Sequence, residues 1–175
     1  MERAFSSDKA DAFGLLGLPA RFDLDPQLIE RAFFDRSKEL HPDRFANAPA
    51  AERVAALSRS RALNDAYQTL KKPVPRAEYL LARAGVTIGD NEQLDPEFLM
   101  EILELREELA EARVGRRTSE IEKLCAAMKQ RRQAAIDSLT PLFANNDLAG
   151  IKTQLILLRY VDRYLEECDA ALDED

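Results

Sequence analysis

The sequence predicts an all-α protein of two parts: a helical hairpin closed by a His-Pro-Asp turn, then a three-helix bundle. Three observations predict it. Apolar residues recur at helical spacing along most of the 175-residue chain, and no stretch alternates at the period of two that a strand needs. Val, Ile and Thr, the β-branched residues, are sparse. Asp-Pro pairs and Gly or Pro breaks punctuate the pattern where helices start and stop.

The elements follow in order. A short helix is expected from an Asp11 N-cap through Phe13, Leu15 and Leu16, ending before Gly17 and Pro19. The second begins at Asp25-Pro26, an N-cap followed by proline at the first helical position. It stops near Leu40, because Pro42 disfavours helical geometry in the residue before it. A loop with Asn47 and Pro49 leads to a third helix, Ala51 to Leu70, halted by Pro73 and Pro75. A fourth segment spans Arg76 to Ala84, before a loop bounded by Gly85 and Gly89. Asp95-Pro96 repeats the cap-plus-proline device and opens a helix to about Arg113, closed by Gly115. Ser119 and Glu122 have capping-box spacing and open a long helix to about Ala144. Asn145-Asn146-Asp147 is the next turn and cap, and a last helix runs to about Ala171, before a frayed acidic tip. The last three helices are joined by short loops, which makes them an up-down-up bundle.

Composition narrows the function classes. Apolar residues are 46% and charged residues 33%, the balance of a globular chain. No apolar run approaches the roughly 20 residues that span a bilayer, and the first ten residues lack the apolar stretch of a secretory signal. The expected location is the cytoplasm, with no membrane partner. The formal charge of −7 is uneven: residues 1–75 hold 12 basic and 11 acidic side chains, residues 76–175 hold 13 and 21. The acidic second part repels phosphate backbones, which argues against a nucleic-acid partner. Cys125, Cys168 and the single His41 are too few and too scattered for a metal site, so no cofactor is expected. Both cysteines read as ordinary buried residues.

The most informative residues are His41, Pro42 and Asp43, between the second and third helices. Proline fixes one backbone angle and holds such a turn in shape, and Asp43 can accept a bidentate hydrogen bond from a partner's arginine. Arg31 and Lys38, seven residues apart and hence on one helix face, make with Arg44 a local positive surface that Asp35 and Glu39 dilute. With Leu16-Gly17-Leu18, Phe33, Asn64-Asp65-Ala66-Tyr67 and Leu70 in this order and spacing, the segment resembles a J-domain. That resemblance implies a surface made of His41, Pro42, Asp43, Arg31, Lys38 and Arg44 that docks on a DnaK-type ATPase chaperone and accelerates its ATP hydrolysis. One position departs from the pattern: the inward slot one turn before Leu40 holds Arg36 or Ser37 where J-domains usually place leucine.

The helix from Pro96 carries more apolar residues than one core face needs. At about 100° per residue, Phe98, Ile102, Leu105, Leu109 and Ala112 form a core stripe. Leu99 and Leu103 lie to one side of it and Met100 nearly opposite, with Glu104 and Glu107 on the outer side and Arg106 nearer the core edge. An apolar group rimmed by charge and pointing off the core is the pattern of an interaction patch; the other reading is that the bundle wraps further round and covers Leu99 and Leu103.

The run Phe98-Leu99-Met100-Glu101 with Leu103 to Leu109, the segment Pro75 to Leu81, and Leu16 to Phe22 together resemble the HscB family. HscB proteins are J-domain co-chaperones that bring the iron–sulfur scaffold IscU to the chaperone HscA. The resemblance covers nearly the whole chain from Asp11. It implies a flexible 1–10, a J-domain at 11–75, a connecting segment at 76–94 and a client-binding domain at 95–175. It further implies that Leu99, Met100, Leu103, Glu104, Arg106, Glu107 and Tyr160 contact IscU, plain bundle packing being the alternative for Tyr160. The family's eukaryotic zinc-binding extension is missing here, which points to a bacterial-type protein. Three other functions stay open: a J-protein with another client, an enzyme using His41 and Asp43 as acid and base, and a purely structural adaptor. The enzyme lacks a nucleophile partner, a phosphate loop and a ligand cluster.

Overall fold

The computed structural model describes residues 11–173. The expected flexible segment 1–10 and the last two residues of the acidic tip lie outside them. The described residues form seven α-helices and one short 3-10 turn: α1 (Ala12–Leu16), α2 (Pro26–Glu39), the turn Pro42–Phe45, α3 (Ala50–Leu70), α4 (Pro73–Arg83), α5 (Pro96–Val114), α6 (Thr118–Ala144) and α7 (Leu148–Asp173). No described residue lies in a strand, so the all-α expectation is met. The chain divides after Leu80 into two compact units.

In the first unit, local chemistry sets the helix ends. Asp11 accepts the Gly14 N–H at 2.7 Å and starts α1. Gly17 ends it in the left-handed conformation (φ 69°) that glycine adopts without strain. Asp25 accepts the Gln27 N–H at 2.9 Å, with Pro26 at the first position of α2. The core gathers Phe13 and Leu16 from α1, Leu24, Ile29 from α2, and Leu63, Ala66 and Leu70 from α3. Phe33 stacks on Tyr67 with ring centroids 4.2 Å apart, pinning α2 to α3.

The expected start of the fourth helix at Arg76 is corrected: α4 begins at Pro73. Both prolines sit in its first turn, where the amide hydrogen they lack has no helical partner to lose. Arg76 is buried; its Nη1 donates to the Leu70 carbonyl at 2.8 Å and its guanidinium lies 5.2 Å from the centre of the Phe22 ring. It thereby satisfies an orphan carbonyl at the end of α3. Burial lowers its pKa from the ordinary value and Asp23 opposes that shift.

The second unit is built on α5, α6 and α7. Phe98, Ile102, Leu109 and Ala112 meet Ile121, Cys125 and Met128 of α6 and Val161, Tyr164, Cys168 and Ala171 of α7. Each fully buried aliphatic side chain among them contributes about 1.5–3 kcal/mol relative to exposure. The capping box at Ser119 and Glu122 is not used: α6 starts at Thr118, and its N-cap is Arg117, two residues before Ser119, which makes no side-chain cap bond. Nor does Asp95 cap α5 through its side chain. In the α5–α6 turn the left-handed residue is Arg116 (φ 51°), not Gly115. Asp147 accepts the Gly150 N–H at 2.9 Å and caps α7 as expected. Both cysteines are free and buried.

Candidate functional site

The chemistry-bearing residues fall into one set on each unit. On the first, the His41 side chain caps the 3-10 turn Pro42–Phe45 by accepting the Asp43 N–H at Nδ1, 3.3 Å away. That bond uses the Nδ1 lone pair, so the neutral ring carries its proton on Nε2. A protonated ring would instead face the Asp43 carboxylate, whose Oδ2 is 3.4 Å from Nδ1. The Asp43 side chain is 89% exposed and that of His41 60%. The carboxylate is therefore held on a short rigid turn with its oxygens toward solvent, the presentation that a bidentate arginine needs. Arg31, Lys38 and Arg44 are exposed as well. Lys38 is shared with Asp35 at 3.4 Å, an exposed pair of small energetic weight.

The slot before Leu40 is resolved. Ser37 is half-buried and its hydroxyl donates to the Phe34 carbonyl at 2.9 Å. Arg36 is exposed, and its Nη2 would stand 2.6 Å from a Cβ built on Gly17. The short serine leaves a hollow of about 470 Å³ between α2 and α3, lined by Phe33, Ser37, Leu57 and Leu63 among others. A second hollow of about 220 Å³, lined by Leu40, Pro42, Phe45, Ala56 and Leu57, reaches the His-Pro-Asp turn. Exposed Phe34, Val54 and Leu57 were not singled out by sequence reasoning. Excess apolar positions, Phe34 on α2 and Val54 and Leu57 on α3, were the available signal.

On the second unit, α5 is fastened from both sides. Arg131 of α6 makes a bidentate pair with Glu101, with Nη2–Oε2 at 2.8 Å, and lies 4.8 Å over the Phe98 ring. The Arg131 hydrogen bond holds the Glu101 carboxyl below its usual range. Arg106 reaches Glu167 of α7 at 2.8 Å. The outward face of α5 is thereby fixed. Leu99 is 41% exposed, Met100 60% and Leu103 50%, so the bundle does not wrap round to cover them. Glu104 and Glu107 are exposed beside them. Leu105 is half-buried against the core. The structure thus brings Leu99, Met100, Leu103, Glu104 and Glu107 onto the free side of one helix, while Arg106 is half-buried in its ion pair. Tyr160 lies on another helix, half-buried against the bundle core, with the Arg163 guanidinium 5.9 Å from its ring centre. The Arg131 and Glu167 clamps were invisible in sequence, since each links residues at least 30 positions apart.

Among the described residues no group of His, Cys, Asp and Glu could hold a metal ion. No helix among them is long and apolar enough to cross a membrane.

Fold and geometry together define a class: a J-domain with an exposed His-Pro-Asp turn, followed by a helical unit that carries an apolar patch. The comparisons with known proteins agree. The DnaJ domain profile matches residues 11–79. The profile described as the HSCB C-terminal oligomerisation domain matches residues 94–169. A co-chaperone protein HscB homolog from Aromatoleum aromaticum is 34% identical, the match covering 93% of this chain and 94% of the relative. Chaperone HscB from Vibrio cholerae superposes with a TM-score of 0.82 at 32% identity, over 94% of this chain and 98% of the other. Human co-chaperone protein HscB superposes with a TM-score of 0.85 at 26% identity, over 94% and 83%. The chain belongs to the HscB family of J-domain co-chaperones, which serves iron–sulfur cluster assembly.

Proposed function

We propose that this protein binds the iron–sulfur scaffold IscU and delivers it to the DnaK-type chaperone HscA in the cytoplasm, stimulating HscA's ATPase. Residues 11–75 act as the J-domain, 76–94 as the connecting segment and 95–175 as the client-binding domain. In the J-domain, Asp43 accepts an arginine of the chaperone while His41 and Pro42 hold the turn in shape. Arg31, Lys38 and Arg44 supply the positive surface that steers the encounter. The chaperone hydrolyses the ATP, and the co-chaperone is not itself an enzyme. In the second unit, Leu99, Met100 and Leu103 bury apolar surface against IscU. Glu104, Arg106, Glu107 and Tyr160 rim that contact.

One observation carries the reading: three large apolar side chains stand exposed on a helix whose opposite face is buried and whose flanks are clamped by Arg131 and Glu167. A rigid, pre-formed apolar patch loses little entropy on docking. The test is Asp43→Asn, which keeps the side chain's shape and removes its charge. Stimulation of HscA should fall to near the unstimulated rate while helicity and melting temperature stay unchanged. Full stimulation by that variant would overturn the assignment of the turn.

A further inference from the structure

The chain's only two cysteines belong to one core cluster of the second unit. Cys125 lies on α6 and Cys168 on α7, 3% and 0% exposed. The antiparallel register of these helices brings them face to face. Arg132 of α6 reaches Asp162 of α7 at 2.6 Å. Cys125 stands seven residues before Arg132 and Cys168 six after Asp162, so about two turns along the helices the thiols oppose each other. They lie within hydrogen-bonding reach, and both are free.

Their position sets their access. α6 begins at Thr118, two turns before Cys125, and α7 ends at Asp173, little more than one turn beyond Cys168. The pair therefore sits toward the open end of the two helices, away from the Asn145-Asn146-Asp147 turn that joins them. Helix ends open at a much lower cost than a whole unit. Burial, together with the Cys125 hydrogen bond, raises the Cys168 thiol above its ordinary value. In the closed bundle that thiol stays protonated and inert, and opening returns it to water as a nucleophile. Leu109 and Ala112 of α5 pack on the same cluster. A bond between the sulfurs would thus fasten the platform beneath the helix that carries the apolar patch.

We propose that Cys125 and Cys168 are a reversible oxidation site, closed to an intramolecular disulfide by hydrogen peroxide and reopened by thiols. Cys125, the sulfur with residual exposure, attacks peroxide as the thiolate. An S–O bond forms, the O–O bond breaks, and the displaced hydroxide takes up the thiol proton as water. Cys168 then attacks the sulfenic sulfur. The S–S bond forms, the S–O bond breaks, and the second hydroxide leaves with the Cys168 proton as water. Two thiols give up two electrons and one peroxide becomes two waters. In a reducing compartment the pair rests as thiols and the disulfide is transient. The cross-link closes a long loop through most of α6 and α7, which restricts the unfolded chain and stabilises the second unit. This site acts whichever client or chaperone the protein serves.

The test treats the full chain with hydrogen peroxide below its melting temperature and reads it by mass spectrometry and thermal melting. The parent should lose the mass of two hydrogens as a monomer, with a peptide map that joins Cys125 to Cys168, and regain it with dithiothreitol. Its melting temperature should rise by roughly 10 °C or more on oxidation and return on reduction. Cys125→Ala and Cys168→Ala should show neither change. Because each of these variants removes a core side chain, the oxidised-minus-reduced difference of the parent decides the matter without them. Low urea, which favours opening, should speed the closure. The proposal is overturned if the parent stays reduced, if its sulfurs gain oxygen instead, or if the disulfide joins separate chains. A Cys125–Cys168 disulfide that leaves the melting temperature unchanged or lowers it overturns the lock.

Discussion

Replacing Leu99, Met100 and Leu103 together by alanine tests the proposed client-binding patch against the fold that carries it. Burying a whole Leu or Met side chain is worth about 1.5–3 kcal/mol. In the free protein these three are 41%, 60% and 50% exposed, so docking has about one and a half side chains of apolar surface left to bury. That corresponds to roughly 2–4 kcal/mol, or about a 30- to 1000-fold rise in the Kd for IscU. The same substitutions leave the core stripe of Phe98, Ile102, Leu109 and Ala112 intact. Their portions already buried in the free protein also amount to about one and a half side chains, so truncation costs the fold up to roughly 2–4 kcal/mol in total, and binding is read well below the variant's melting temperature. Calorimetric titration with IscU reads the first quantity and thermal melting by circular dichroism the second. A triple variant that binds IscU as tightly as the parent would refute the reasoning. One that loses binding only because it has melted would show that the three side chains support the core.

Two further predictions probe the fold that positions the sites. Burial pushes both Tyr164 and Cys168 well above their ordinary values of 10.0 and 9.0, and the Cys125 hydrogen bond adds to the second shift. A folded state that holds protons more tightly than the unfolded chain keeps its full stability below the unfolded pKa values, then loses it as pH climbs above about 9. Melting scans from pH 7 to 11 should show that decline in the second unit, flatter in Tyr164→Phe, and a melting temperature that rises across the range would contradict it. Gly17→Ala should cost the first unit about 1–2 kcal/mol, because the residue is left-handed. Urea denaturation followed in this unit checks it; an unchanged midpoint would mean that the turn can relax.

Much of the site was legible because its signals are local. Asp25-Pro26 and Asp147 announce helix starts through caps that need only their neighbours in sequence. The angular placement of Leu99, Met100 and Leu103 follows from 100° per residue, and their exposure bears it out. What was missed depends on competition or distance. Ser119 and Glu122 have the capping spacing, yet α6 opens at Thr118 with its N-cap at Arg117, two residues before Ser119. Pro73 and Pro75 read as breakers, yet the first turn of a helix accepts both. Pro141 sits inside α6, in the last turns before its end at Ala144. The clamps on Glu101 and Arg106 join α5 to residues on other helices, and no periodicity reports such pairs. Tyr160 is half-buried, which is why helical spacing could not choose between packing and contact.

The central claim is that one chain couples a chaperone's ATPase to one client. Steady-state ATP hydrolysis by HscA, measured with this protein alone and with this protein plus IscU, tests it most directly. The account predicts stimulation by the protein that IscU raises further, with the second increment lost in the Leu99/Met100/Leu103 triple variant and both lost in Asp43→Asn. Stimulation that is indifferent to IscU, or none at all, would contradict it.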